Sequence, residues 1–242
     1  MSKKSDARPF HLKQFSLHHH QSSMKVGTDS LTLGIWTQIK NSGRILDVGT
    51  GSGILALLMA ARSDDFVDAI ELDEASYAEA SNNFVNSPYA DRLRAIHDNF
   101  NLYTSRCNQK YELIVSNPPF FINDMRSLDL TRNNARHGDS LNYSELCEGV
   151  GQILNLDGRF CLVLPYNESK FFIVTARKNK LHVNRQMIVF PKRGAQPNRI
   201  CLELSFTKSM EIKSEKFIIR EENNQFTEQY IHFFKDFLIG LD

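Results

Sequence analysis

The feature that most constrains the fold of this 242-residue chain is a pair of apolar runs joined through three closely spaced glycines. Residues 44–49 are typical of a buried strand, Thr50-Gly51-Ser52-Gly53 of a tight turn, and residues 54–61 of a helix. Glycines allow backbone conformations and close approaches that other residues do not. A strand, a glycine-rich turn and a helix in succession are typical of α/β proteins that bind a nucleotide-like ligand at the turn.

Carboxylates follow the next two predicted strands. Residues 68–73 are predicted to form a strand that ends in carboxylates. Glu71 comes roughly 20 residues after the glycines, which is the separation expected of an acid that binds ribose hydroxyls. A third strand, residues 93–97, is followed by Asp98, whose carboxylate can accept a hydrogen bond from an adenine amino group. Because the carboxyl ends of parallel strands share one edge of a sheet, we expect these acids and the glycines to form one site.

The rest of the chain fits the same fold class. Residues 43–206 alternate short apolar strands with helical stretches, which predicts an α/β fold with a mostly parallel sheet and helices on both faces. Strands 182–190 and 199–206 are joined by a turn-rich loop and form an antiparallel C-terminal hairpin. We divide the chain into an N-terminal cap, residues 1–42, and a main domain, residues 43–242. Helices are expected near residues 28–40, 52–62, 74–86, 142–155 and 167–179, and the aromatic tail near residues 226–237 is expected to pack into the core.

The string Asn117-Pro118-Pro119-Phe120 directly follows the apolar run 113–116. The asparagine offers an amide oxygen as acceptor. The two prolines restrict φ and remove two backbone donors, so that the Pro118 carbonyl is held towards whatever occupies the site. The phenylalanine offers a face on which a base or an amide plane can stack. This arrangement suits a planar NH2 group that is held by two acceptors and attacks a methyl donor.

The net charge of +1 conceals an uneven distribution. The segment from Lys170 to Arg199, here called the basic segment, contains eight basic residues and no Asp or Glu. It is either a solvated surface or, in our preferred interpretation, a surface that contacts a phosphate backbone. Residues 121–139 form a long loop with Arg136 and His137, which is either a mobile surface loop or a lid over a flipped base.

Other features exclude several classes of protein. The four cysteines are widely spaced and form no C-x-x-C pair, which argues against a zinc site or a disulfide framework. The chain has neither an N-terminal apolar segment nor an apolar run of about 18 residues, so we expect a cytoplasmic protein that does not contact a membrane. The run His18-His19-His20 lacks the nearby ligands of a metal site, and no metal is expected.

The chain resembles the bacterial tRNA (adenine-N6)-methyltransferases that modify adenosine-37 of valine tRNA, which are class I Rossmann-like enzymes. The resemblance depends on Met24-Lys25-Val26-Gly27-Thr28-Asp29, on Leu33-Gly34-Ile35-Trp36 and on the Asn-Pro-Pro-Phe string, and it covers about residues 10–206. Two departures are the histidine run at 18–20 and Ser30, where glycine is common in the family.

The resemblance implies a seven-stranded sheet, S-adenosylmethionine (SAM) as the methyl donor, and a tRNA anticodon loop as the substrate. We expect a monomer, although the sequence does not specify the oligomeric state. Asn117, Pro118, Pro119 and Phe120 would hold and stack the target adenine. Cofactor contacts would come from Lys25, Thr28, Asp47, Gly49, Gly51, Gly53, Glu71, Leu72, Asp98 and Asn117. From the long loop and the basic segment, and not from the resemblance, we expect substrate contacts by Phe121, Arg136, His137, Arg177, Lys178, Lys180, Lys192 and Arg193.

Four alternatives remain open at the level of sequence. A protein-glutamine N5-methyltransferase needs the same Asn-Pro-Pro-aromatic arrangement, but only about 40 residues precede the first predicted strand, too few for the separate helical domain that such enzymes carry. A guanine-N2 RNA methyltransferase would use a similar pocket. A DNA adenine methyltransferase would need a separate target-recognition domain. A non-catalytic SAM-binding partner subunit would have a defective pocket.

Overall fold

A computed structural model describes residues 8–22, 25–40, 43–118 and 141–241. Within these ranges, eight strands form the main sheet, in the order β10-β8-β9-β7-β6-β3-β4-β5, and β1 and β2 form a small antiparallel pair. The strands are β1 (Phe10–His11), β2 (Ser16–Leu17), β3 (Arg44–Val48), β4 (Phe66–Glu71), β5 (Leu93–His97), β6 (Tyr111–Ser116), β7 (Leu154–Pro165), β8 (His182–Phe190), β9 (Arg199–Ser205) and β10 (Lys213–Ile218).

The predicted fold class is confirmed, with one difference in the sheet. Strands β3 to β7 pair in parallel, and β8 and β9 form the predicted antiparallel hairpin, with β9 between β8 and β7. The sheet has eight strands instead of the expected seven because β10 adds to its edge, parallel to β8. Four of the six residues of β10 are exposed and three are charged, so this strand lacks the apolar alternation that predicts a strand.

Helices cover both faces of the sheet, as predicted. The helices are α1 (Thr28–Trp36), α2 (Ile54–Arg62), α3 (Glu74–Val85), α4 (Phe100–Arg106), α5 (Tyr143–Ile153), α6 (Ser169–Lys178) and α7 (Glu228–Phe234). One core forms between the sheet and α1, α2, α3 and α7, and a second between the sheet and α4, α5 and α6. Successive residues of the central strands alternate between the two cores: Leu113 and Val115 face the first, and Ile114 faces the second.

Both ends of the described chain pack into the first core. Residues Leu12, Phe15 and Leu17 are buried there, and the backbone N–H of Lys13 donates to the carbonyl of Phe237 at 2.8 Å. Aromatic residues of the tail pack against the same core, which confirms the prediction that they are core residues. They are Phe226, Tyr230, Phe233, Phe234 and Phe237.

Among the helices of the described ranges, none combines the length and the apolar character needed to span a bilayer. All four cysteines are free thiols, and Cys161 and Cys201, on β7 and β9, are fully buried.

Candidate active site at the carboxyl edge of the sheet

The glycine-rich turn is held against β4 in a conformation that requires glycine. The backbone N–H of Gly49 donates to the carbonyl of Ile70 at 2.9 Å. Gly49, Gly51 and Gly53 have φ values of 71°, 56° and 88°, in the left-handed region. A Cβ on Gly53 would lie 2.5 Å from the ring of Phe84. The turn therefore exposes backbone at the edge where the parallel strands end, here called the carboxyl edge.

Asp47, the last residue but one of β3, is fully buried beneath this turn. Its Oδ2 accepts hydrogen bonds from Thr50 Oγ1 at 2.5 Å and from the N–H of Ala56 at 3.2 Å. Its Oδ1 has no hydrogen-bond partner among the residues that the structure describes. Burial raises the pKa of Asp47 to about 7, against the opposing effect of the two hydrogen bonds. A buried carboxylate oxygen without a partner suits a cationic ligand group.

Glu71, at the end of β4, reaches across to the turn. Its Oε2 accepts from the N–H of Gly51 at 2.8 Å, and its Oε1 accepts from the N–H groups of Leu72 and Asp73 at 2.9 and 3.0 Å. Each carboxylate oxygen can accept more than one hydrogen bond, so the group retains capacity for ligand hydroxyls. The side chain of Leu72 is exposed beside it. The structure thus brings together the acid and the glycines that the sequence predicted to be neighbours.

Asp98 lies at the same edge, after β5, but its oxygens already have partners. Its N–H donates to the carbonyl of Glu71 at 3.0 Å, its Oδ1 accepts from the N–H of Asn99 at 2.9 Å, and its Oδ2 forms an ion pair with Arg106. The side chain of Arg106 is largely exposed. An adenine amino group would therefore share this carboxylate with Arg106.

Asn117 follows β6 and is 8% exposed. Its Nδ2 donates to Oγ of Ser30 on α1 at 2.8 Å. Its Oδ1 is buried and lacks a hydrogen-bond partner within the described part of the chain. Pro118 is buried beside it. The other predicted residues of this part of the site lie outside the described residues: Pro119, Phe120, Phe121, Arg136 and His137.

Two polar residues of α3 that the sequence analysis did not single out attach the N-terminal segment to the turn. The carboxylate of Glu79 accepts from the N–H groups of residues 20–22 at 2.8 to 3.0 Å. The side-chain amide of Asn83 donates to the carbonyls of His18 and Ser52 at 2.7 and 2.8 Å. Glu79 is only 4% exposed. The two residues lie four positions apart, which places both on one face of a helix. This spacing is the feature of the sequence that could have identified them.

The resemblance placed Lys25 and Thr28 near the cofactor. Lys25 is exposed. Thr28 and Asp29 line a cavity of about 250 Å³ beside β7 and β8, together with Arg199. Arg199 Nε donates to Asp29 Oδ2 at 2.7 Å and so connects the start of α1 to β9.

The basic segment does not form one continuous positive surface. Three of its arginines pair with acids from other parts of the chain. Arg185 Nε lies 2.9 Å from Glu215, and Arg193 forms two hydrogen bonds with Glu221, at 2.5 and 2.9 Å. Together with Arg199, these side chains are locally neutralised, which the absence of acids within the segment itself did not reveal.

Topology separates the remaining cations of the basic segment. Helix α6 leaves the carboxyl end of β7 and returns to the start of β8, which runs parallel to β7 because both pair antiparallel with β9. The end of α6, with Arg177, Lys178 and Lys180, therefore lies at the amino edge of the sheet, opposite Asn117. Lys192 follows β8 and lies at the carboxyl edge. The structure does not bring the first three together with the site.

Comparisons with known proteins agree with this geometry. Residues 20–141, half of the chain, match the family described as the methyltransferase small domain. A tRNA1(Val) (adenine(37)-N6)-methyltransferase of Bacteroides fragilis is 38% identical over 96% of this chain and 98% of its own length. Proteins of the same name from Parabacteroides distasonis and Tolumonas auensis are 37% and 36% identical, each over 96% of this chain, and are covered over 98% and 97% of their own lengths.

Solved structures support the fold. A predicted O-methyltransferase of Agrobacterium tumefaciens superimposes with a TM-score of 0.67 over 86% of this chain and 96% of its own, at 14% identity. A methyltransferase of Pyrococcus furiosus gives a TM-score of 0.53 over 72% of this chain and 81% of its own, at 21% identity. At these identities the likeness shows the fold alone.

Proposed function

Because the chain belongs to the family of the tRNA1(Val) (adenine(37)-N6)-methyltransferases, we propose that it transfers a methyl group from SAM to N6 of adenosine-37 in valine tRNA. The observation that carries this proposal is the buried Oδ1 of Asn117. Among the residues that the structure describes, this oxygen has no hydrogen-bond partner. This oxygen lies at the same edge of the sheet as the glycine turn and provides the acceptor that an exocyclic amine requires.

The residues at the carboxyl edge fit SAM. Oδ1 of Asp47 can bind the ammonium group of its methionyl part, the left-handed glycine turn leaves room for close approach, and Glu71 can accept from the ribose hydroxyls. Asp98 and Leu72 would contact the adenine, and Asp98 would share its carboxylate between the adenine and Arg106. SAM, when bound, supplies an electrophilic methyl group on a sulfonium.

The residues after β6 would hold the target base. Oδ1 of Asn117 and the carbonyl of Pro118 accept from the two amine hydrogens, while Pro119 restricts the backbone and Phe120 stacks on the purine. Removing the base from its stack costs a few kcal/mol, and least in a single-stranded loop. The amine becomes acidic as it is methylated, so that no strong general base is needed. The rate then comes mainly from alignment and preorganised electrostatics.

Contacts to the rest of the tRNA are assigned to the carboxyl edge. Lys192 lies there, and Phe121, Arg136 and His137 follow the Asn-Pro-Pro-Phe string in the chain. Arg193 is paired with Glu221, which limits its contribution. We predict that the protein acts as a cytoplasmic monomer. We also predict that residues 1–42 form a separate cap.

The test is incubation of the purified protein with radiolabelled SAM and total tRNA, followed by nucleoside analysis. We expect the label in N6-methyladenosine, at position 37 of valine tRNA. Label in guanosine N2, or transfer to protein glutamine in a lysate but not to tRNA, would replace this proposal by one of the alternative methyltransferase activities.

Replacement of the acceptor tests the assigned role of Asn117. The substitution Asn117→Ala removes the oxygen that holds the amine, and we expect turnover to fall by at least a hundredfold while the Kd for SAM, measured by calorimetry, changes less than threefold. A similar loss in both quantities would show that Asn117 acts on the structure of the site and not on the substrate.

A further inference from the structure

The cavity beside the start of α1 has the composition of a binding site for one small group. Its floor is formed by the buried side chains of Val163 and Val189 and by the half-buried Ile219. Thr28 and Asn198, both exposed, lie at its mouth. The volume of about 250 Å³ is slightly below the range of roughly 300–1,000 Å³ that is typical of sites for small-molecule ligands. A single ring system therefore fits this cavity better than a whole cofactor does.

One buried hydroxyl in the wall of the cavity has no partner. Thr32, on α1, is only 2% exposed, and its Oγ1 forms no hydrogen bond with any residue that the structure describes. The hydroxyls of Thr37, directly after α1, and of Thr175, on α6, instead donate to the carbonyl four residues earlier, at 2.8 and 3.1 Å. A hydroxyl can donate or accept, so that either kind of polar group on a ligand would satisfy Thr32.

The cavity lies next to the acceptor that the proposed function assigns to the target amine. Asn117 follows Ser116 of β6, which pairs with Leu162 of β7, and the next residue of β7, Val163, lines the cavity. The opposite wall includes Val189 of β8, and β9 runs between β7 and β8. Because neighbouring strands are about 4.8 Å apart, β8 lies roughly 14 Å from β6. The cavity is therefore adjacent to the position of the target base but separate from it.

We propose that this cavity binds the base of a nucleotide that adjoins the target adenosine in the tRNA, with the Thr32 hydroxyl bonded to a polar edge of that base. This inference rests on the proposed function. Removal of the target base from its stack uncovers the faces of its neighbours. Proteins recognise such unpaired bases through apolar contact with the ring and hydrogen bonds to its edges. A phosphate group is disfavoured here, because the floor is apolar and the carboxylate of Asp29 lines the same cavity.

The first experiment removes the hydroxyl from the full-length protein. We expect Thr32→Val to lower kcat/KM for valine tRNA roughly fivefold, the size expected for the loss of one hydrogen bond to a ligand. The melting temperature should not fall, because the substitution keeps the shape of the side chain and removes an unpaired buried hydroxyl. The Kd for SAM should stay within twofold. Thr175→Val is the matched control: it removes a buried hydroxyl from α6 and should leave kcat/KM within twofold.

The second experiment identifies the base. Valine tRNA is assembled with an abasic nucleotide, which keeps the phosphate but lacks the base, at each of the two positions on either side of adenosine-37 in turn. At one of these positions, loss of the base should lower kcat/KM of the wild type at least fivefold. In the variant Thr32→Met, whose longer apolar side chain fills the cavity, the same loss should change kcat/KM less than twofold, because the base is already excluded.

Three results would overturn the inference. The first is a kcat/KM within twofold of the wild type for both Thr32→Val and Thr32→Met. The second is a fall in the melting temperature of Thr32→Val together with weaker SAM binding, which would show a structural role for the hydroxyl. The third is a cost of base removal that is equal in the wild type and in Thr32→Met at every position. A wild-type protein that forms no N6-methyladenosine would overturn the proposed function itself, which distinguishes that failure from the other three.

Discussion

At the scale of single residues, Asp47 illustrates a conflict between stability and ligand binding. Burial raises its pKa from 3.8 to about 7. Between about pH 4 and pH 7 the folded state therefore holds a proton that the unfolded state has released. The protein without cofactor should lose stability as the pH rises through this window, and the loss should be complete above it. The ionised carboxylate of Asp47 is stabilised only when a cationic group binds to it.

The substitution Asp47→Asn should remove this pH dependence. Asparagine can accept both existing hydrogen bonds through one oxygen, because Thr50 and Ala56 both donate to Oδ2 of Asp47. We expect the free energy of unfolding at pH 8, measured by urea denaturation, to rise by on the order of 2 kcal/mol, with a smaller rise at pH 5 and little change at pH 4. The Kd for SAM should rise at least tenfold.

Substitution of Asp68 is a control for which we expect the opposite change in the free energy of unfolding. Asp68 is as buried as Asp47 but accepts from Arg94 at 2.8 and 2.9 Å and from Arg44 at 3.2 Å. Asp68→Asn removes the buried carboxylate from two ion pairs whose arginines are partly exposed, and it should destabilise the protein at pH 8. If Asp47→Asn were destabilising to the same extent, the unpartnered oxygen would not be a source of instability.

Much of the site was predictable at this scale, and the reason is geometric. Asp47, Glu71 and Asn117 each come at the end of a predicted parallel strand, and such ends meet at one edge. The contact between Asn117 and Ser30 was not predictable, because it depends on how α1 packs across the sheet. Nor did the sequence show that Asp98 is paired with Arg106, since charge pairs on exposed surfaces follow no fixed spacing.

At the scale of elements, helix α3 connects the N-terminal segment to the glycine turn. Glu79 accepts from three backbone N–H groups and Asn83 joins His18 to Ser52. Neither interaction belongs to a regular helix or sheet, so the backbone of residues 18–22 depends on these two side chains for its hydrogen bonds. The position of the segment beside the turn is therefore a property of α3.

We expect Glu79→Gln to loosen this attachment. A glutamine has only one acceptor oxygen, and its NH2 would face backbone donors, which should cost about 2–3 kcal/mol of unfolding free energy. Limited proteolysis should cut residues 8–22 faster, and SAM should bind more weakly. Glu74→Gln is the control on the same helix, because Glu74 is exposed, and it should change stability by less than about 0.5 kcal/mol. Equal protease resistance in the two variants would contradict the role assigned to Glu79.

Sequence patterns predicted the elements that carry an apolar face and missed those that do not. The strands β5 and β8 were predicted at the bounds that the structure shows, and α5 begins at Tyr143, one residue after the predicted start at Asn142. Helix α4 was missed because only Phe100 and Thr104 of its seven residues are buried. Helix α1 ends at Trp36, four residues earlier than predicted, because the chain turns away at Thr37.

At the scale of the whole molecule, the distribution of charge depends on which edge of the sheet a cation reaches. The basic segment is continuous in sequence, but the fold divides it between two edges and neutralises three of its arginines. A six-residue strand such as β6 separates the two edges by about 20 Å. That distance exceeds twice the screening length of about 8 Å at physiological ionic strength. Cations at the amino edge should therefore contribute little to binding at the site.

The two edges can be compared directly by substitution. Lys192→Ala removes one charge at the carboxyl edge, and we expect it to weaken tRNA binding several-fold and to reduce the slope of log Kd against log salt by about 1. The triple variant Arg177→Ala, Lys178→Ala, Lys180→Ala removes three charges at the amino edge and should leave the Kd within twofold. Filter binding between 50 and 200 mM salt measures both, in the range over which phosphate contacts lose most of their strength. Because the control removes more charge than the test variant, a larger effect from the triple variant would show that the tRNA extends across the amino edge, as the sequence alone had suggested.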